Sequence, residues 1–264
     1  MTPPSLTTLL YDKASWRCGN PIGKRGYSAL GAVKTRPVAR FRARSGCATL
    51  RAGLATTVYL VRNGVTRWHA ERRVLDPPDI PLSPTGLDQA SAAASTLLGV
   101  KLAEVLSSPR QRAVQTAEMI GRAAGIEVAR DPRLADFKLG KWNEMTYVDV
   151  IATDEYQQFL RQPDTVALPG GETLREIERR AVAAVEQVLS DCPFGDAVAI
   201  VTHAGIIRVL LSHYLGSPAG NYHRLRVSPG SISIVSFRNN REPPRVLAVN
   251  LAGSIAHVLD RPSS

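Results

Sequence analysis

Apolar positions are unevenly spread along the chain. Residues 1 to 55 carry no apolar periodicity of useful length, whereas from residue 57 short apolar runs alternate with amphipathic stretches. Thr57 to Arg62 (TVYLVR) predicts a buried strand, and a polar loop then runs to Ser83, punctuated by Pro77, Pro78 and Pro81. Ser83-Pro84 is a helix start: a hydroxyl N-cap, then proline at the first helical position, where its missing N–H costs nothing. Leu87, Ala90, Ala94, Leu97 and Leu98 form the expected buried stripe, ended by Gly99. Leu102 to Ser107 predicts a short strand, and Ser108-Pro109 repeats the helix start, giving a second helix to about Ala124 closed by Gly125. Ile126 to Ala129 is another strand candidate.

Beyond a polar stretch, helices are expected from Tyr147 to Leu160 and from Leu174 to Leu189, the latter opened by Thr173 and Glu176 at capping-box spacing. Ala197 to Thr202 (AVAIVT) is a second fully apolar strand, followed by a helix from Ile206 to Leu215 that ends at Gly216. Ser231 to Phe237 and Val246 to Asn250 read as closing strands. Strands alternating with helices predict a three-layer α/β/α fold with a central, largely parallel sheet. In such sheets ligands bind beyond the carboxyl ends of the strands.

Composition changes this picture at one end only. The hydrophobic fraction of 44% over 264 residues suffices for a core, and the net charge is +10. Ten of the 33 Lys and Arg but only one of the 23 acids, Asp12, lie in residues 1 to 55, so the remainder is close to neutral. The basic character therefore belongs to a leader and gives no reason to expect a specific nucleic-acid partner. The expected organisation is a disordered basic leader, 1–55, and one domain, 56–264. An Arg-rich, Ser-containing, acid-poor leader has the composition of an organellar transit peptide, or of an upstream coding stretch translated in error; otherwise a cytoplasmic location is expected. No apolar core of a secretory signal follows the first positive charges, and no run approaches the ~18 to 20 apolar residues of a membrane span. Cys18, Cys47 and Cys192 are odd in number and unclustered, which indicates neither a disulfide framework nor a zinc site.

Two strands end in polar clusters, TVYLVR in Asn63-Gly64 and AVAIVT in His203-Ala204-Gly205. If both are parallel and central, Arg62, Asn63 and His203 share one pocket. The second helix opens with Arg110 and Arg112, and a helix N-terminus already favours anions, so the pocket would be strongly positive with room for a phosphate. Each residue alone has an ordinary reading, since a lone Arg is usually a surface charge and a strand-end His is as often a cap as a catalyst.

Together, in order, they resemble the histidine phosphatase superfamily, the phosphoglycerate mutase-like proteins, over residues 57 to about 250. The family's Arg-His-Gly-x-Thr is similar to Arg62-Asn63-Gly64-Val65-Thr66, its Trp-Asn-x-x-x-Arg to Trp68-His69 with Arg73, and its Pro-Leu-(Ser/Thr)-x-x-Gly to Pro81 through Gly86. Its Ser-x-x-x-Arg-Ala-x-Gln-Thr-Ala matches Ser108, Arg112, Ala113, Gln115, Thr116 and Ala117. Leu134, Asp136, Gly140 and Trp142 match its Leu-x-Glu-x-x-x-Gly-x-Trp; Pro169 to Thr173 and His203 to Arg208 match its last two motifs.

The resemblance implies a phosphoryl-transfer site in which Arg62, Arg112 and His203 hold the phosphoryl oxygens, with Gly64 and His69 also in the phosphate-binding set, and in which no metal or other cofactor takes part. Asp136 takes the place of the family's leaving-group acid, usually Glu; to act near neutral pH its pKa must be raised against the lowering effect of the arginines. The family's nucleophilic histidine, which forms a phosphohistidine, matches Asn63. An amide nitrogen is delocalised into its carbonyl and cannot attack phosphorus, so family-type covalent catalysis should fail while the amide keeps the hydrogen bond of the missing inner ring nitrogen.

Three explanations compete: a pseudoenzyme that binds a phosphorylated ligand or acts as a regulatory binding module; an engineered or sequencing change in a working phosphatase or mutase; and direct attack by water, with His203 as base and Asp136 as acid. The last retains roughly 10³ to 10⁴-fold over water where a nucleophile is lost. His69 is a weaker candidate for a substitute nucleophile. The stretch from Asp136 to His203 looks shorter than a glycolytic mutase would carry, which favours a phosphatase ancestry. Arg161 and Lys141 could meet a second acidic group on the ligand. The expected partner is a phosphorylated small molecule, with no membrane, and a homodimer is compatible with the sequence.

Overall fold

The computed structural model describes residues 55–73, 80–192, 195–238 and 242–253; the basic leader 1–55 lies outside them except for Ala55. In chain order the elements are β1 (Thr56–Arg62), α1 (Arg67–Ala70), α2 (Pro84–Thr96), β2 (Leu102–Ser107), α3 (Gln111–Ala124), β3 (Val128–Arg130), α4 (Tyr147–Ile151), α5 (Asp154–Arg161), α6 (Leu174–Asp191), β4 (Ala197–Thr202), α7 (Ala204–Tyr214), β5 (Ile232–Phe237) and β6 (Arg245–Leu251), with 3-10 turns at Pro132–Leu134, Gly140–Trp142 and Ala219–Arg224.

The six strands form one sheet in the order β3-β2-β4-β1-β5-β6. The first four run parallel, and β5 and β6 add antiparallel at the far edge. The layers follow from the two-residue period of a strand. On β1, Val58 and Leu60 face a core shared with α6 and α7, whereas Tyr59 and Val61 face a second core shared with α2 and α3. β4 splits in the same way, with Val198 and Ile200 on one side and Ala199 and Val201 on the other. Burial on both faces explains why these two strands are unbroken apolar runs.

Where element bounds depart from the sequence pattern, a competing contact is responsible. Ser108-Pro109 does not open α3; Arg110 is its N-cap and Gln111 its first residue. Ser108 instead prolongs the strand pairing through its N–H to Val201 O (2.9 Å), and its hydroxyl is held by His203. The expected Tyr147–Leu160 helix is two helices, because Thr153 leaves the first and caps the second by accepting from the Tyr156 N–H. Ile126 donates its N–H back to Gly121 O at the end of α3, so the next strand starts later, at Val128. Leu98 falls beyond the end of α2 and is 63% exposed instead of joining the stripe. The loop after β1 contains the short helix α1. No helix among the described residues is long and apolar enough to cross a membrane.

Candidate active site

Three neighbouring parallel strands stop at one level and deliver the polar groups. Arg62 pairs with Thr202 in register, Asn63 N–H donates to Thr202 O (3.0 Å), and Ser108 N–H donates to Val201 O (2.9 Å). Arg62-Asn63, His203 and Ser108 therefore emerge side by side at the carboxyl edge of the sheet.

On the β4 side, Arg112, Asp136 and His203 are all buried. Arg112 reaches from the first turn of α3 and donates through Nη2 to Asp136 Oδ2 (3.1 Å), and the same nitrogen lies 3.0 Å from His203 Nδ1. His203 Nε2 lies 2.7 Å from Ser108 Oγ. A guanidinium has only donors, so His203 Nδ1 accepts and Nε2–H donates to Ser108. The imidazole is accordingly neutral: burial first, then the charges of Arg112, Arg110, Arg62 and Arg180, hold its pKa well below the ordinary histidine value.

On the β1 side, Arg62 donates through Nη1 to Val227 O (2.6 Å), and its Nη2 lies 3.2 Å from His69 Nε2. His69 Nδ1 accepts from the Thr66 N–H (3.1 Å). The Arg62 guanidinium and the His69 ring therefore stand side by side at this strand end, with Thr66 Oγ1 also 3.1 Å from Nδ1. Burial, then Arg62 and Arg112, lower the His69 pKa to about 3, so this ring is neutral as well.

Asn63 lies between these halves, 3% exposed, with Nδ2 donating to Gly64 O (2.8 Å). Gly64 has no room for a side chain, since a Cβ would stand 2.3 Å from Gly86 O, and its N–H donates to Thr116 Oγ1 (3.3 Å). Its part in the structure is the close approach of this loop to α2.

Sequence patterning missed one residue of consequence. Arg180 on α6 donates to the carbonyls of Arg133 and Ala135 (both 2.6 Å) and of Asp136 (3.1 Å), and Glu172 holds its Nε (2.9 Å). This clamp fixes the backbone that carries Asp136, whose Oδ1 also accepts from the Phe137 N–H (3.0 Å). The only local sign was Glu172, in Pro169 to Thr173, two turns before Arg180. Lys141, a candidate for a second acidic group, is instead paired with Glu155 at the surface, and Arg161 is exposed. Among the described residues no cluster of His, Cys, Asp and Glu could hold a metal ion.

The arrangement sets the guanidinia of Arg62 and Arg112 beside the neutral rings of His69 and His203 and the carboxyl group of Asp136, a positively charged setting whose chemistry suits an oxyanion. The sequence profile of the histidine phosphatase superfamily (branch 1) matches residues 58–251. A protein of Yersinia pestis (strain Pestoides F) described as "Probable phosphoglycerate mutase GpmB" is 34% identical over 209 residues, covering 78% of this chain and 96% of that relative. The mycobacterial glucosyl-3-phosphoglycerate phosphatase superposes with a TM-score of 0.67 at 27% identity, over 75% of this chain and 100% of that one. Phosphoserine phosphatase from Entamoeba histolytica, solved with 3-phosphoglyceric acid, shares the fold with a TM-score of 0.68 at 23% identity, over 77% of this chain and 100% of that one. With its profile matched from the first strand to the last, this chain belongs to the histidine phosphatase superfamily.

Proposed function

We propose that the domain, residues 56–264, binds phosphomonoesters and that its covalent step is disabled because Asn63 stands where the family's nucleophilic histidine would attack. The observation that carries this reading is the paired arrangement around Asn63: Arg62 with His69 on one side and Arg112 with His203 on the other, both imidazoles neutral. The Asn63 amide makes to Gly64 O the hydrogen bond that an inner ring nitrogen would make, and has no second nitrogen to attack with.

Relatives described as phosphatases and as a probable mutase support a phosphate ester as ligand. Phosphoryl transfer depends mostly on charge stabilisation, so the remaining groups still favour the transition state, and water can attack slowly with His203 as base, once Arg112 turns from its ring to the phosphoryl oxygens, and Asp136 as leaving-group acid. The test is Asn63→His, assayed against a panel of phosphomonoesters with and without a phosphorylated co-substrate. A gain in turnover on the order of 10³-fold is expected, and transfer to the co-substrate would mark a mutase. Flat turnover together with no binding of inorganic phosphate or vanadate by the unmodified chain would end the proposal in favour of a vestigial pocket.

A further inference from the structure

We propose that Asn250, on the edge strand β6, is a positioning residue for Arg62 and acts through the single peptide unit that joins Val227 to Ser228. This rests on the phosphate-binding reading above, in which Arg62 holds phosphoryl oxygens. β6 is separated from β1 by β5, so the effect has to be relayed. The Arg62 guanidinium is aimed by its Nη1 bond to Val227 O (2.6 Å). The other edge of that same amide is the Ser228 N–H, which donates to Asn250 Oδ1 (2.5 Å). Among the described residues no peptide bond is cis, and a planar trans amide points its C=O and N–H in opposite directions. One plane is therefore gripped from both sides, by Asn250 at its donor and by Arg62 at its acceptor. Without the Asn250 bond the plane is free to swing about its flanking bonds, and the carbonyl leaves the guanidinium. Polarisation works in the same sense, since an amide whose N–H is engaged is a better acceptor at its oxygen.

The chain builds this grip from a turn and a bulge. Ser228-Pro229-Gly230-Ser231 is a type II turn: Ser231 N–H donates to Ser228 O (3.0 Å), proline takes the second position, and Gly230 has φ +72°. Its far end holds the backbone of Arg62, which donates its N–H to Ser231 O and accepts from the Gly230 N–H (both 3.0 Å). The turn thus fixes where Arg62 starts, and the Val227 carbonyl fixes where its side chain goes. On β6, Ile232 pairs with Leu251 and Ile234 with Ala248, which leaves Val249 and Asn250 together opposite Ser233. That is a β-bulge, and Asn250 takes its left-handed position at φ +60°. The Asn250 N–H donates to Oγ of the buried Ser233 (3.1 Å). The bulge re-aims the side chain out of the strand's alternation and onto Ser228. Asparagine meets both demands of the position, because it tolerates the left-handed region better than most side chains and carries an acceptor. Glycine would meet only the first.

The full-length chain is titrated calorimetrically with inorganic phosphate, and the Arg62 guanidinium is followed by nitrogen NMR. Asn250→Gly keeps the left-handed backbone and removes the acceptor, so it should weaken phosphate binding about fivefold. Asn250→Asp, which takes the same backbone and still accepts, restores most of that loss. In an Arg62→Ala background, Asn250→Gly should change the affinity by less than about twofold, because the residue acts only through Arg62. By NMR, the Nη1 and Nη2 signals of Arg62 are resolved in the unmodified chain and average by rotation in Asn250→Gly. Unchanged affinity in Asn250→Gly, a loss that persists without Arg62, or no recovery in Asn250→Asp overturns the proposal. If Asn250→Gly does not fold, the unmodified chain decides: resolved Nη signals support the grip and averaged ones overturn it. Failure of inorganic phosphate to bind the unmodified chain removes the parent reading, and the NMR comparison then decides by itself whether Asn250 holds Arg62.

Discussion

The two central strands, β1 and β4, end side by side and are built alike, yet they present opposite chemistry. At the end of β4, His203 is a reactive ring set in one tautomer by Ser108 and Arg112. At the end of β1, Asn63 is an unreactive amide held by Gly64 O, with His69 of α1 beside Arg62. Both ends keep an arginine, a defined hydrogen-bond pattern and near-complete burial. On the reading proposed above, anion binding and covalent attack are separable: the first would depend on groups spread over β1, α3 and β4, the second on a single side chain.

Breaking the β4 half has the largest effect. Arg112→Ala leaves Asp136 buried without its cation, which costs about 3–5 kcal/mol of stability by denaturant titration. Phosphate affinity should fall by about 100-fold in the same variant, since a charge-assisted contact and its geometry are lost together. Retained affinity would mean that Arg62 and His69 alone hold the anion.

Arg180→Ala removes the clamp on the Asp136 loop without touching the anion. In an Asn63→His background, esters with poor alkyl leaving groups should lose about 10² in rate, while nitrophenyl esters, which need no acid, should lose little. Equal losses for both classes would assign Arg180 a purely structural part.

The two neutral histidines predict a pH effect of known sign. Both have pKa values lowered in the folded state, so on acidification the unfolded chain takes up protons that the folded chain refuses, and stability falls as pH drops below about 6.5. Each contributes at most about 1.4 kcal/mol per pH unit, and for His69 the loss stops near its folded pKa of about 3. His69→Asn should flatten the stability profile between about pH 6.5 and 5 relative to the unmodified chain. An unchanged slope would mean that the ring is protonated in the folded protein. Smallest of all, Ser108→Ala should cost about 1 kcal/mol, while Arg112 keeps the His203 proton on Nε2, visible in the ring nitrogen chemical shifts by NMR.

How much of this could be read from the chain depended on how local the determinants are. β1 and β4 stood out because strands buried on both faces are written as apolar runs, and Arg62, Arg112, Asp136 and His203 followed from ordered motifs. The pairing of His69 with Arg62 and the clamp of Arg180 did not, because each is set by a partner whose position depends on the fold. Arg180 reaches carbonyls 44 to 47 residues away. Ser108 shows how such contacts override local rules: its Ser-Pro pattern is a good helix start, but pairing with Val201 and His203 takes precedence.

The separability of binding from attack is tested most directly by trapping. The unmodified chain and Asn63→His are mixed with a phosphomonoester labelled on phosphorus and quenched in base, where phosphohistidine survives. The expected result is no label on the unmodified chain, although it binds phosphate, and close to one equivalent on Asn63→His, at residue 63. Label on the unmodified chain, at His69 or elsewhere, would contradict the account.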